Sequence, residues 1–179
     1  MRTQVVEREL QAFCESHPNL LIEHLGGGHG RWVVPQKRLG SEFVTDFVIG
    51  ERHSFGFQWQ AVELESPLVP LFTKKGDPSA DLTHAIRQIT DWRTWIIRNQ
   101  DYASRRREAQ CLGLIDIDSS VRGLILLGRE RDLDPTTNDR RRQLVQDLQI
   151  DIHTYDWVVR GSIGPIEARV RSRIEYKGG

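Results

Sequence analysis

Long apolar runs are missing from this 179-residue chain: no stretch approaches the roughly twenty apolar residues of a membrane span, and no signal peptide opens it. Cysteine is scarce. Cys14 and Cys111 stand far apart and form no C-x-x-C pair, which leaves reduced thiols as the default and removes a disulfide framework. These absences lead to the expectation of a soluble, cytoplasmic protein with no membrane partner. Lysine is also sparse, so nearly all of the positive charge is arginine, with runs at Arg105-Arg106-Arg107 and Arg140-Arg141-Arg142. Such runs suit phosphate contact and suit an ordinary solvated helix face equally well. Net charge is absent too, with 25 basic and 25 acidic residues.

What is present is enough for one folded domain. The 38% apolar content and five tryptophans argue for a globule rather than a disordered chain. The length suits a single domain over residues 1–179 and crowds two.

Periodicity gives the order of elements. Thr3 to Glu15 reads as an amphipathic helix with Val5, Val6, Leu10 and Phe13 on its apolar face, ended by His17-Pro18. Leu20 to Leu25 fits either a further turn or a small strand, and Gly26 to Gly30 a glycine-rich loop. Trp32 to Val34 begins a strand that Pro35 confines to an edge or a start. Phe43 to Ile49 reads as a second strand, with Val44, Asp46 and Val48 on one face. Gly50 to Gly56 supplies turn residues, and Phe57 to Glu65 is the third strand. Ala80 to Asn99 is a long helix with Leu82, Ala85, Ile86, Ile89, Trp92 and Ile96 on one side and His84 and Gln88 on a neighbouring face. Asp101 to Gln110 is a loop or a continuation of that helix. Leu112 to Ile117 and Val121 to Leu127 read as strands. Asp134-Pro135-Thr136 starts a helix to about Gln149, Ile150 to Thr154 is a last strand, and a helix broken at Gly161 to Pro165 follows. The sum is an α/β fold: a central mixed sheet flanked by helices.

Within that order, the stretch Trp59 to Pro67 is anomalous. Strand alternation sends Val62 and Leu64 to one face and Glu63 and Glu65 to the other. Like charges on one face repel, so the acidic pair is explained either by water or by a metal ion. If the preceding strand folds back through a turn at Ser54 and Phe55, Asp46 falls opposite Glu63. A slip of one residue would undo this. A carboxylate facing Glu-x-Glu matches the needs of Mg²⁺, which takes oxygen ligands and uses few protein carboxylates.

Several further motifs follow in order: Glu7-x-x-Leu10-x-x-Phe13, His17-Pro18-x-Leu20-Leu21, Asp46-Phe47-Val48 and Val62-Glu63-Leu64. After them come Ala85-Ile86-x-Gln88-Ile89-x-x-Trp92, Leu124-x-x-Leu127-Gly128-Arg129 and Ile152-x-Thr154-Tyr155-Asp156. Together, over most of its length, the chain resembles the nuclease domain of the Shedu anti-phage defence proteins, a branch of the PD-(D/E)XK nuclease superfamily. The resemblance implies a restriction-endonuclease-like core and a Mg²⁺- or Mn²⁺-dependent DNA nuclease. It also implies DNA as partner and assembly into a homo-oligomer. Asp46 and Glu63 would be its metal-binding acids. Glu7 matches an acid that some members add to the site, and is otherwise a solvated helix charge. Gln88 and Trp92 fall where related exonucleases carry Gln-x-x-x-Tyr; for Trp92 a core role is the better reading.

Glu65 departs from that pattern, which usually has lysine there. A carboxylate can ligate metal or take a proton, but it cannot neutralise charge growing on a phosphate. The cation would then come from the metal or from Lys74 or Lys75 reaching back from their loop. A catalytically weakened, DNA-binding or assembling member is the alternative, and an interaction module with a merely wet acidic face is a third. Asp116 and Asp118 share an expected strand face and could form a second acidic pair, but a strand end running into a turn explains them well enough. His24 and His29 lack zinc-site spacing, and no motif places a serine for acyl transfer.

Overall fold

A sheet that is antiparallel on one side and parallel on the other forms the centre of the molecule. The computed structural model describes residues 2–26, 29–106 and 110–161, with side chains from Val6 onward. Strands β1 (Arg31–Pro35), β4 (Phe47–His53), β5 (Gly56–Leu64), β6 (Arg122–Leu126) and β7 (Ile150–His153) lie side by side in that order. The first three pair antiparallel and the last three parallel. Strands β2 (Arg38–Leu39) and β3 (Phe43–Val44) form a separate two-stranded ladder. The expected mixed sheet flanked by helices is the architecture found, and Pro35 ends the edge strand β1.

Alternation divides the core into two layers. Phe47, Ile49, Val62, Leu64, Leu124 and Leu126 face helices α1 (Arg2–Ser16) and α2 (Asn19–Ile22), meeting Cys14 and Leu21 there. Val48, Ala61, Ile125, Ile150 and Ile152 face the opposite layer, dominated by α3 (Ala80–Arg98). This helix forms because Leu82, Ala85, Ile89, Trp92 and Ile96 recur at helical spacing, and the Ser79 hydroxyl caps it by accepting from the Leu82 N–H at 3.2 Å. The short α4 (Gln100–Ser104) follows it directly. Helix α5 (Pro135–Leu148) starts at Asp134, whose carboxylate accepts from the Thr137 N–H at 2.8 Å, and crosses back to β7. Residues 155–161 are helical. Among the described residues, no helix is long and apolar enough to cross a membrane.

The structure corrects several boundaries. Phe43 to Ile49 is two strands, because the chain breaks pairing at Thr45 and Asp46. The turn does not span Gly50 to Gly56: β4 runs on to His53, and the turn is Ser54 and Phe55 alone. Leu112 to Ile117 is a loop instead of a strand. Gly113 and Asp116 adopt left-handed backbone, while Leu112, Leu114 and Ile117 plug the α3 layer. Asp116 and Asp118 therefore share no strand face: one accepts from the Phe57 N–H, the other from the Ser120 N–H. On α1, Phe13 is 50% exposed and Cys14 is buried in its place, so the apolar face is rotated from the expected one. Of the loop at Gly26 to Gly30, residues 27 and 28 lie outside the described residues. So does the expected break at Gly161 to Pro165, beyond Gly161 itself.

Two of the resembling motifs turn out to be fasteners. Arg129 grips Asp156 through two hydrogen bonds of 3.0 and 2.7 Å, and Tyr155 donates its hydroxyl to the Glu65 carbonyl at 2.6 Å. Gly128 sits between them with φ +67°, its N–H donating to the Ser66 carbonyl at 3.1 Å. A Cβ at that position would stand 2.6 Å from the Val69 carbonyl oxygen. Gly128→Ala is expected to cost about 1–3 kcal/mol of stability, read from urea denaturation, because strain and backbone clash coincide.

Candidate active site

Antiparallel pairing fixes the position of the acids. Phe47 lies opposite Val62 in the β4–β5 ladder, with the turn at Ser54 and Phe55, so continuing the register one step sets Asp46 opposite Glu63. Asp46 lies just before β4, and one of its carboxylate oxygens accepts from the Leu64 N–H at 2.8 Å. That bond clamps the acid to the end of β5. Glu63, the next-to-last residue of β5, points to the α3 layer and is 6% exposed.

Gln88 comes from α3 to meet it. Its side-chain amide donates to Oε1 of Glu63, and Oε2 of the same carboxylate is buried with no hydrogen-bond partner. An unpaired buried carboxylate oxygen is expensive, and native proteins tolerate few of them. Glu65 lies one residue beyond β5, still tied to β6 by its N–H on the Leu126 carbonyl at 2.9 Å. Its side chain turns to His84 of α3, with Nδ1 3.4 Å from Oε1. Glu7, from α1, lines the same open cavity of about 400 Å³ as Asp46, Glu63, Glu65 and His84. Arg8, Gln11 and Gln36 complete its wall. Gln11 donates to the Asp46 carbonyl at 3.4 Å, and its own side-chain oxygen is buried without a partner.

The structure thus gathers Glu7, Asp46, Glu63, Glu65 and Gln88 around one end of β5. It does not bring the others. Trp92 is 2% exposed inside the α3 layer, one turn beyond Gln88, as a core residue. Lys74 and Lys75 line a separate cavity with Arg140, so the loop that carries them does not reach the acids. Within the arginine runs, Arg105 pairs with Asp101, Arg142 with Asp139, and Arg141 donates to the Ile152 carbonyl. His84, Arg8 and Gln11 carried no assigned role in the sequence. His84 sits one turn before Gln88 on the same helix, and Arg8 directly follows Glu7, which are the signals that could have found them.

Burial dominates the electrostatics. It pushes the Asp46 carboxyl up to about 6, with the Leu64 N–H pulling the other way and Glu7 adding repulsion. Glu63 is driven well above the carboxylate range by burial, then by Asp46 and Glu65. Burial also lifts Glu65 to about 7, opposed by its hydrogen bond with His84. Glu7 is raised by burial and then by Asp81. Acids displaced this way concentrate at functional sites, where something must compensate their charge.

A carboxyl whose folded pKa lies above its unfolded one adds stability below the unfolded value, and that contribution is lost as pH rises through the folded value. For Asp46 this window runs from about 4 to above 6. His153 acts oppositely, because burial lowers it to about 4. A variant comparison cancels that effect: in chelator, Asp46→Asn is expected to melt higher than wild type by several degrees at pH 8 and by little at pH 5. An equal difference at both values would contradict the assignment.

The family model described as Shedu protein SduA, C-terminal, matches residues 4–159. Among curated proteins, none matches the chain significantly. A solved structure described as "Structure of EndoMS-dsDNA2 complex" is similar at 14% identity, over 83% of this chain and 43% of that one, with a TM-score of 0.40. This chain therefore spans less than half the length of that protein.

Proposed function

The chain belongs to the Shedu SduA C-terminal family, and from that premise we propose that it is a metal-dependent DNA nuclease domain, hydrolysing phosphodiester bonds in anti-phage defence. Its mixed sheet and flanking helices are read as a restriction-endonuclease-like core. The observation that carries the proposal is the buried, unpartnered Oε2 of Glu63, opposite Asp46 on one wall of an open cavity.

The residues fit a hard divalent cation in a particular way. Among the described residues, no group of three or more His, Cys, Asp or Glu is arranged to hold a metal by itself, which argues against a closed, zinc-like cage. Mg²⁺ instead uses one or two carboxylates and keeps water and substrate oxygens for the rest. Asp46 and Glu63 offer that pair. Glu65 stands near as a proton acceptor. Bound there, Mg²⁺ or Mn²⁺ supplies Lewis-acid polarisation of a phosphoryl oxygen and a lowered pKa for a water.

The chain's own residues prepare the site. The Leu64 N–H holds one Asp46 oxygen, which leaves the other for the cavity. Gln88 fixes Glu63 by Oε1, so that Oε2 is the free acceptor. Glu65, lifted to about 7 and paired with His84, has the basicity to take a proton near neutral pH. Glu7 adds negative charge at the rim, a further reason for the site to want a cation.

A second reading has an observation of its own. Glu65 stands where lysine is usual and spends its carboxylate on His84 instead of on the acids opposite. That favours a weakened member that binds DNA, or assembles as a homo-oligomer, without cutting. Incubating the protein with supercoiled plasmid and Mg²⁺ or Mn²⁺, beside a chelator control, separates the readings. Metal-dependent nicking or linearisation supports the nuclease. A mobility shift without cleavage supports the second reading, and neither effect leaves an interaction module with a wet acidic face.

A further inference from the structure

We propose that Arg8 of α1 is the residue that grips the substrate phosphate, supplying the positive charge that Glu65 cannot. The inference rests on the nuclease reading and names how that site meets its polyanionic substrate. The cavity holds four carboxylates, Glu7, Asp46, Glu63 and Glu65. A phosphodiester approaching them is repelled unless cations intervene. A divalent ion answers part of that charge, and the side chains must answer the rest.

The candidates are few. Lys74 and Lys75 are excluded by position, because they face a different cavity beside Arg140. His84 is spent on Glu65. Of the nine residues lining the acidic cavity, Arg8 is the one with a permanent positive charge, and its side chain is exposed. Its placement is fixed by its neighbours on α1. Glu7 precedes it on the same wall, and Gln11, one turn on, reaches the Asp46 carbonyl, so this turn of helix is held against the acids.

The chemistry suits the task. A guanidinium offers a planar fork of donors that matches two phosphate oxygens, keeps its charge at any working pH, and loses less hydration than an ammonium. It also sits on a helix, which positions it more firmly than a loop lysine would be. The sequence departure at Glu65 is then a relocation of charge from strand to helix.

The test measures DNA binding and cleavage separately. Affinity of the full chain for a fluorescent 20-base-pair duplex is followed by anisotropy in Ca²⁺ over a salt series, for wild type, Arg8→Ala, Arg8→Lys and the remote control Arg142→Ala. Arg8→Ala should lose about tenfold or more in affinity, and its logarithmic salt slope should fall by about one. Arg8→Lys should recover part of the affinity. In cleavage with Mg²⁺, Arg8→Ala should lower kcat/KM. Arg8→Ala binding like wild type, or Arg142→Ala losing as much, would overturn the assignment. Wild type that binds but never cleaves, with the Arg8 loss intact, removes the nuclease and keeps the phosphate grip. Wild type that does not bind DNA overturns both.

Discussion

Asp46→Asn and Glu63→Gln are each expected to lower the DNA cleavage rate by about a thousandfold while raising, not lowering, thermal stability at pH 8 in chelator. The first half follows from the role of the pair. Each substitution keeps the shape of the side chain and removes the charge that would hold a divalent ion, and losing such transition-state stabilisation costs several kcal/mol. The second half follows from burial, which has already lifted both carboxyls far from their ordinary range. A neutral amide removes that penalty and can still accept from the Leu64 N–H or receive Gln88. Structural residues show the reverse pattern, since replacing them damages both properties. Cleavage assays and melting curves on the same preparations read both halves. Full activity with unchanged stability would remove the pair from the site.

Trp92→Ala is expected to cost about 3–5 kcal/mol of stability, enough to unfold much of a marginally stable domain. Trp92 is among the largest fully buried side chains and packs in the α3 layer with Ile89, Trp95 and Ile96. Its spacing from Gln88 invites a place in the site, but its burial assigns it to the core. Trp92→Phe should therefore retain cleavage per folded molecule, with a smaller loss in denaturant midpoint. A variant that folds like wild type yet cuts poorly would return Trp92 to the chemistry.

Part of the candidate site was legible because alternation in Val62-Glu63-Leu64 is a local signal. The turn at Ser54 and Phe55 was an assumption that the sequence did not fix, and the observed β4–β5 ladder, continued one step, sets Asp46 opposite Glu63. Helical periodicity showed only the face that Gln88 shares with His84; its place beside the acids was implied by the family resemblance. Other features are tertiary, and no local pattern encodes them. Leu112 to Ile117 is apolar enough to read as a strand, but Leu112, Leu114 and Ile117 serve as plugs from a loop bonded to the end of α4. The rotation of α1 that buries Cys14 and exposes Phe13 depends on which neighbours it meets. The pairing of Glu65 with His84 and the entry of Arg8 join segments that are distant in the chain. Lys74 and Lys75 looked reachable in sequence, and the fold sends their loop elsewhere.

We propose that Asp46 and Glu63 together hold a divalent metal. Crystals grown with Mn²⁺ and measured near the manganese absorption edge test it directly. The expected result is an anomalous peak bonded to one oxygen of Asp46 and to Oε2 of Glu63, absent in Glu63→Gln crystals. No peak at those two carboxylates under saturating Mn²⁺, or a peak that survives the Glu63→Gln change, would contradict it.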